Sequence, residues 1–218
     1  MSKAVAEDFV SLEVCKILSE HAAQVYTISP GAGLLRPAVQ CPSPNQDDRP
    51  DGAQPELLVI HSISLPPGDF GGPYIEQFFT NCIDSQAHAY FSEICDLQVS
   101  AHLLIRRDGA LIQFVPFGRR AWHAGESTFR GRSRCNDFSI GIELEGEDET
   151  PYADNQYAVL AAVIDTLIGS YPGLSPRSIA GHCDIAPRRK TDPGPAFDWL
   201  RLYDDLSARM AARSDRNQ

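Results

Sequence analysis

The feature that most constrains the fold is an apolar run, "LLVIHSI", at residues 57–63, which lies between two prolines. A short apolar run bounded by turn-forming residues is typical of a buried β-strand. His61 interrupts this run, and because side chains alternate along a strand, His61 shares a face with Val59 and Ile63. A histidine at such a position is either a hydrogen-bonded core residue or a metal ligand, and the run by itself leaves both interpretations open.

Further elements surround this strand. "HLLIRRDGALIQFVP" predicts a β-hairpin that turns at Asp108–Gly109, and the alternation in "FSIGIELEG" predicts another strand. Asp154 is an expected N-cap of an amphipathic helix, and a last helix carries apolar residues from Trp199 onward. Strands and helices are mixed without strict alternation, which favours an α/β (α+β) domain built on one mixed sheet.

The chain divides by composition into four predicted units. Residues 1–30 are an expected N-terminal helical extension, and residues 31–56 are a loop-rich lead-in with many Pro, Gly and Asp residues. Residues 57–210 are the compact domain, and residues 211–218 form a C-terminal tail.

Composition excludes several classes of function. The formal net charge of −10 argues against nucleic-acid binding, which depends on neutralising phosphates. No apolar run approaches the ~20 residues of a membrane span, and the N-terminus lacks the basic-then-apolar pattern of a secretory signal, so we expect a cytoplasmic monomer without a membrane partner. The six cysteines include no CxxC pair and are expected to be reduced. Arginine clusters such as "LIRRDG" are interpreted as solvated surface charge.

A second histidine lies in the rigid segment "GHCDIAPRRKTDPGP", residues 181–195. Catalytic zinc sites use three protein ligands of the imidazole and carboxylate type plus a water, and His61, His182 and Asp192 would supply such a set. Their spacing matches no compact metal motif, and Asp192 is otherwise an exposed residue of a proline-rich connector. Lys190 would stabilise a developing oxyanion beside a metal, and is otherwise a surface lysine.

Two glutamates of "GIELEG" are candidates for a general base. Glu143 and Glu145 share one face of the predicted strand, so periodicity does not choose between them. His102 and His123 are either rival ligands or partners that orient the ligands. The Gly/Pro-rich loop at residues 66–73 follows the His61 strand, and we expect it to form a groove wall or a movable lid.

Five motifs in one order give the chain a family resemblance. The motifs are "LLVIHSISLPPGDFGGPYI", "VSAHLLIRRDGALIQFVPF", "RAWHAG", "CNDFSIGIELEG" and "GHCDIAPRRKTDPGPAFDW". Together they resemble the zinc-dependent N-acetylmuramoyl-L-alanine amidases, a family that includes phage lysozyme-like amidases and animal peptidoglycan-recognition proteins. The resemblance implies a central mixed β-sheet flanked by helices, Zn²⁺ held by His61, His182 and Asp192, a catalytic Glu143, and Lys190 at the oxyanion.

The resemblance also implies a substrate. It points to the cytoplasmic members that cleave the amide between 1,6-anhydro-N-acetylmuramic acid and L-alanine in peptidoglycan recycling, and that thereby lower the muropeptide signal for β-lactamase induction. Ser62 stands where those enzymes usually have asparagine, and Arg134 matches an arginine suited to a peptide carboxylate; both are expected to contact the anhydromuropeptide. Two alternatives stay open: a module that binds muropeptides without cutting them, and an amidase that acts on intact peptidoglycan.

Overall fold

A six-stranded mixed sheet forms the centre of the protein in a computed structural model that describes residues 24–216. In spatial order its strands are β12 (Ile179–Gly181), β5 (Leu57–Ile63), β11 (Ser139–Glu145), β6 (Leu103–Ile105), β7 (Leu111–Gln113) and β3 (Val39–Gln40). The β6–β7 pair is antiparallel, and the other neighbours are parallel. The predicted strands at "LLVIHSI" and "FSIGIELEG" and the hairpin around Asp108–Gly109 are therefore confirmed.

Helices and small strand pairs surround the sheet. The helices are α1 (Tyr74–Phe79), α2 (Phe91–Ile94), α3 (Asp154–Ser170), α4 (His182–Ile185) and α5 (Trp199–Arg216). Three antiparallel pairs lie outside the sheet: β1 (Thr27–Ile28) with β2 (Leu35–Arg36), β4 (Gln46–Asp48) with β8 (Arg119–Ala121), and β9 (Thr128–Phe129) with β10 (Arg132–Ser133). Single 3-10 turns occur at Cys135–Asp137 and Pro176–Ser178. The predicted class, a central mixed sheet flanked by helices, is confirmed.

Both faces of the sheet are covered, which explains why β5 is almost continuously apolar. Leu58 and Ile60 on β5, like Ile142 on β11, belong to the core that α3 and α5 cover. A second core, built around aromatic side chains of α1 and α2, covers β6 and β7 from the opposite face. The polar residues His61 and Glu143 alternate with the first set and therefore leave the α3–α5 core, near the carboxyl ends of two parallel strands.

The start of α3 differs from the sequence prediction. Asp154 is the first helical residue, and Ala153 occupies the cap position. The Gln156 side chain accepts a hydrogen bond from the Ala153 amide at 3.0 Å, and the Asp154 carboxylate pairs with Arg201. The amide at the start of the helix is therefore hydrogen-bonded by Gln156, three residues after the cap, and not by the predicted capping residue Asp154.

The segment before β5 is integrated into the compact unit. Residues 31–56, predicted as a loop-rich lead-in, contain β2, β3 and β4, and the Leu35 amide donates to Gln113 Oε1 at 2.7 Å. Residues 24–30 contain β1, whereas the helix predicted upstream of them lies outside the described residues. At the other end, α5 continues to Arg216, through most of the predicted tail at 211–218.

Two further features of the described chain concern its helices and its cysteines. Across residues 24–216, no helix is long and apolar enough to cross a bilayer. The five cysteines within that range are free thiols, as expected for reduced cysteines.

Candidate active site

Three side chains from distant parts of the chain meet at one point. His61 Nδ1 lies 3.0 Å from His182 Nδ1, and Asp192 Oδ2 lies 3.1 Å from each of these nitrogens. The parallel pairing of Gly181 with Ile60 sets His182 beside His61, and the Cys183 amide donates to the Asp192 carbonyl at 2.9 Å. The result is a nearly equilateral triangle of two nitrogens and one oxygen, hereafter the His–His–Asp triangle.

The outer ring atoms of the two histidines are also occupied. His61 Nε2 lies 2.9 Å from His123 Nδ1, and His123 Nε2 lies 3.0 Å from Ser139 Oγ. His182 Nε2 lies 3.2 Å from the carbonyl oxygen of Ala124. When each Nε2–H donates to its outer acceptor, both Nδ1 lone pairs face the carboxylate oxygen, which is the arrangement that metal-ligating histidines adopt.

The triangle fits a divalent metal ion. Three lone pairs directed at one point repel one another unless a cation lies between them. Zinc–nitrogen bonds of about 2.0–2.1 Å in a tetrahedron imply roughly 3.3 Å between ligand atoms, close to the separations found here. Imidazole and carboxylate are both zinc ligands, so the donor set and its dimensions agree with a metal site among the described residues.

Burial shapes the charge states of the triangle. Burial, partly opposed by the adjacent Asp192 carboxylate, lowers the pKa of His61 to about 4, so its imidazole is neutral near pH 7. Burial raises the pKa of Asp192, but the adjacent imidazoles of His182 and His61 outweigh it and hold that pKa well below its usual range. A neutral imidazole and an ionised carboxylate are the protonation states that a metal requires.

Glu143 is the candidate general base of the site. Glu143 pairs with His61 where β11 runs parallel to β5. The residue is only 8% exposed to solvent, and its Oε2 is buried without a hydrogen-bond partner. Burial, reinforced by the charge of Asp192, raises the pKa of Glu143 well above its usual range, and the positive charge of Lys190 opposes this rise. Such a raised pKa in a cleft is characteristic of groups that exchange protons during catalysis.

The structure separates the two glutamates that periodicity left equivalent. Glu145 Oε1 accepts hydrogen bonds from the Gly71 amide at 2.6 Å and from Arg106 at 2.8 Å, and its Oε2 accepts one from the Arg107 amide at 3.2 Å. Both oxygens of Glu145 are therefore engaged in structural contacts. Glu143 is the member of the pair with an oxygen available for a reacting group.

A cleft of about 720 Å³ contains the His–His–Asp triangle and Glu143. Lys190 is exposed and lines the same cleft, together with His123 and Ser62. A larger groove of about 950 Å³ lies near the edge strand β3, but Arg36 is the only charged residue lining it within the described chain. The titratable groups that can do chemistry are thus concentrated in the smaller cleft.

The remaining sequence candidates occupy different places. Arg134 is not among the residues that line the cleft in the described chain, and its guanidinium pairs with Asp137 at 3.1 Å. His102 is buried, accepts the Gly141 amide at Nδ1 and approaches the Arg119 carbonyl with Nε2, so it is a hydrogen-bonded core histidine. His123 orients His61, which is one of the two roles predicted for it, and Ser139 in turn contacts His123. The sequence did not predict Ser139, because a serine in a strand carries no distinguishing pattern.

The fold and the site define a class of protein, a mixed-sheet hydrolase with a metal-ligand triangle and an adjacent buried carboxyl group. Family comparison gives the class its name. Residues 51–195 match the model of the N-acetylmuramoyl-L-alanine amidases, and the chain belongs to this family of enzymes. The family resemblance read from the five sequence motifs is thereby confirmed.

Particular relatives are similar over most of the chain. The 1,6-anhydro-N-acetylmuramyl-L-alanine amidase AmpD of Salmonella typhimurium is 62% identical over 173 residues, which cover 79% of this chain and 92% of that protein. A crystal structure of a selenomethionine derivative of AmpD superposes with a TM-score of 0.79 at 57% identity, covering 82% of this chain and 99% of that one. The Escherichia coli amidase AmiD gives a TM-score of 0.51 at 32% identity, and the match covers 72% of this chain and 60% of AmiD. That structure was solved with anhydro-N-acetylmuramic acid-L-Ala-D-γ-Glu-L-Lys bound.

Proposed function

We propose that the protein is a zinc-dependent 1,6-anhydro-N-acetylmuramyl-L-alanine amidase that acts in peptidoglycan recycling. The observation that carries this proposal is the His–His–Asp triangle, with ligand atoms 3.0–3.1 Å apart, beside the unpartnered Oε2 of Glu143. The high identity to AmpD over most of both chains supports the choice of substrate.

His61, His182 and Asp192 would hold the zinc ion. When bound, zinc would polarise the amide carbonyl and lower the pKa of a water molecule toward neutrality. The outward hydrogen bonds of His61 and His182 keep both Nδ1 atoms turned toward the centre of the triangle, where the ion would bind. The ionised Asp192 would offset part of the positive charge of the metal.

Glu143 would move the proton. Its Oε2 would accept a proton from the attacking water and return it to the L-alanine nitrogen as the amide bond breaks. The Lys190 ammonium would stabilise the negative charge that develops on the carbonyl oxygen, and by its charge it favours the ionised form of Glu143 that can accept a proton. The products are the anhydro-sugar acid and the free stem peptide.

The AmiD complex supports an anhydromuropeptide as the ligand of this cleft, since its bound molecule joins anhydro-N-acetylmuramic acid to a stem peptide through L-alanine. In this chain the cleft is lined by apolar residues such as Tyr90 and Ile94 and by charged residues such as Glu147 and Lys190. A ligand that combines a sugar ring with an ionised peptide has groups that suit both kinds of lining. Contacts from Ser62 and Arg134, the cytoplasmic location and the monomeric state stay predictions.

Mass spectrometry of the products tests the proposal. Purified protein loaded with zinc is incubated with anhydromuropeptides, and we expect the free stem peptide and the anhydro-sugar acid in equal amounts. Asp192→Ala should abolish cleavage while the circular dichroism spectrum is retained. Full activity of that variant, or intact substrate after incubation with the zinc-loaded wild type, would contradict the proposal.

Whole sacculi separate this function from the two alternatives. We expect release of soluble stem peptides from anhydromuropeptides and little from intact peptidoglycan. Preferential digestion of sacculi would favour a cell-wall amidase instead. Tight binding of anhydromuropeptides without cleavage, at full zinc occupancy, would favour a binding module.

A further inference from the structure

The Arg106–Arg107 pair of the "LIRRDG" turn contacts two of the loops that border the cleft. These cleft loops are residues 64–73, which join β5 to α1, and residues 146–153, which join β11 to α3. We propose that Arg106, Arg107 and Glu145 are positioning residues that hold the two cleft loops in the arrangement required for substrate binding. The inference rests on the proposed function and adds to it residues outside the reacting groups.

Arg106, Arg107 and Glu145 are hereafter called the anchor, and Glu145 lies at its centre. Its side chain is 3% exposed, and its two oxygens accept the Gly71 amide, the Arg106 guanidinium and the Arg107 amide. The first of these contacts comes from the cleft loop 64–73, and the other two come from the hairpin turn. A carboxylate with so many donors is firmly oriented, because hydrogen bonds to a charged group are stronger than neutral ones.

Arg106 extends the anchor along the same loop. Its Nη1 binds Glu145, while its Nη2 donates to the Gly72 carbonyl at 2.8 Å and pairs with Glu76 in α1. The side chain is 13% exposed, so this pairing is largely shielded from water. The planar guanidinium thereby connects the end of β11 to the last residues of the loop and to the first turn of α1.

Arg107 reaches the second cleft loop. Its guanidinium lies over the ring of Phe70 at 4.7 Å from the ring centroid and donates to the Pro151 carbonyl at 2.9 Å. One side chain therefore contacts the loop before α1 and the loop before α3. This arrangement contradicts the interpretation of the "LIRRDG" arginines as merely solvated charge.

Both anchored loops contribute to the wall of the cleft. Leu65 and Pro67 of the first loop, and Glu147 and Asp148 of the second, line the cleft that holds the triangle. Within the described chain, the hydrogen bonds of the anchor lead to the loops rather than to Glu143 or the triangle. The anchor is therefore expected to act on substrate binding and to leave the chemical step unchanged.

Steady-state kinetics with anhydromuropeptides test the anchor. Arg107→Met removes the link between the loops but keeps the Glu145–Arg106 pair, so it avoids the risk that a buried charge is left alone. We expect KM to rise on the order of tenfold, as for one lost charge-assisted hydrogen bond, with kcat within about twofold of wild type. Glu145→Ala should have a larger effect on KM, and Glu145→Gln, which keeps a carbonyl acceptor, should restore part of it.

Two further readouts distinguish positioning from general damage. Zinc content should stay equal to wild type in each variant, and the Gly71 amide should exchange with solvent faster in Glu145→Ala and Glu145→Gln. Arg213→Met is the matched control, because Arg213 pairs with Asp165 between α5 and α3 and does not line the cleft. This control should leave KM and the Gly71 exchange rate unchanged.

Several outcomes would overturn the inference. A fall in kcat at constant KM would place these residues in the chemical step, and loss of zinc would place them in support of the metal. Wild-type protein that leaves anhydromuropeptides intact would contradict the proposed function alone. The anchor is then judged by titration calorimetry with the same muropeptide, in which weaker binding by Arg107→Met supports it and equal binding overturns it.

Discussion

Glu143 and His61 are direct partners in the parallel pairing of β11 with β5, so their side chains leave the sheet side by side on one face. One belongs to the His–His–Asp triangle, and the other carries a buried oxygen without a hydrogen-bond partner. Two rigid neighbouring strands therefore set the distance between the candidate base and the candidate metal ligand. A site built on strands holds such geometry more precisely than a site built on loops.

Replacing Glu143 by glutamine should reduce catalysis without disturbing the metal. Glutamine keeps the shape of the side chain but cannot accept a proton, so we expect kcat to fall by about 10²–10⁴. Zinc content and the melting temperature should stay close to wild type. The control is Glu56→Gln at an exposed carboxylate paired with Arg132, and equal losses in both variants would argue against Glu143 as the base.

Adding zinc should stabilise the metal-free protein. A ligand that binds only the native state at 100 times its Kd adds about 2.7 kcal/mol, which for a domain of this size corresponds to a rise in Tm of roughly 5–10 °C. Differential scanning calorimetry of chelator-treated protein, with and without zinc, measures the rise. In Asp192→Ala the zinc-dependent rise in Tm should be small, and a rise equal to that of wild type would exclude Asp192 as a ligand.

His123 should support zinc binding through His61. Its Nδ1 faces His61 Nε2 at 2.9 Å, and its ring packs directly over the Gly141 backbone, where a β-carbon would leave no room. His123→Leu removes the acceptor, and we expect zinc affinity to fall about 10- to 100-fold in competition with a fluorescent chelator. His123→Asn, which keeps an acceptor near the position of Nδ1, should lose less; identical affinities in wild type and His123→Leu would contradict this role.

Arg49 should be essential for stability although it does not line the active-site cleft. Its guanidinium donates to the backbone carbonyls of Phe117, Asn136, Asp137 and Ser139, and these bonds tie the segment before β5 to the core. Arg49→Met leaves several of these carbonyls unpaired, and we expect a loss of roughly 2–4 kcal/mol of unfolding free energy. Urea unfolding measures it as a lower midpoint at constant m-value.

The control for Arg49 is Arg36→Met, since Arg36 is an exposed arginine of β2. This substitution should change the unfolding free energy by less than about 0.5 kcal/mol. Similar losses of unfolding free energy in Arg49→Met and Arg36→Met would show that the carbonyl contacts of Arg49 do not stabilise the fold more than an exposed arginine does.

His102 should make the stability of the metal-free protein depend on pH. Burial, with the nearby charge of Arg49, lowers the pKa of His102 well below its usual value, so the native state binds a proton less readily than the unfolded state. Unfolding free energy is then fully retained above pH ~6.5 and falls as pH drops below that value, by up to ~1.4 kcal/mol per pH unit for one group.

His102→Asn tests this dependence. Asparagine keeps an acceptor for the Gly141 amide but does not titrate, so its unfolding free energy should fall less steeply between pH 6.5 and 5 than that of wild type. Urea titrations of both proteins across that range measure the two slopes. Parallel slopes would show that His102 contributes no proton uptake on unfolding.

Local patterns in the sequence determined most of the secondary structure. The apolar run at residues 57–63, the Asp108–Gly109 turn and the alternation in "GIELEG" each depend on interactions within a few residues, and each prediction is confirmed. Local patterns did not predict elements that depend on contacts with residues distant in the sequence. The lead-in at residues 31–56 has the composition of a loop, yet its short strands are held by distant partners such as Gln113.

The tertiary structure alone decided how the candidate residues meet. His61 and His182 are 121 positions apart, and they become neighbours because β12 pairs with β5 in a register that aligns Gly181 with Ile60. The choice between Glu143 and Glu145 likewise depends on Gly71 and Arg106, which occupy one carboxylate and leave the other available. Periodicity assigns a side chain to a face of a strand, but which groups share that face is set by strand order and register, which arise from packing across the whole domain.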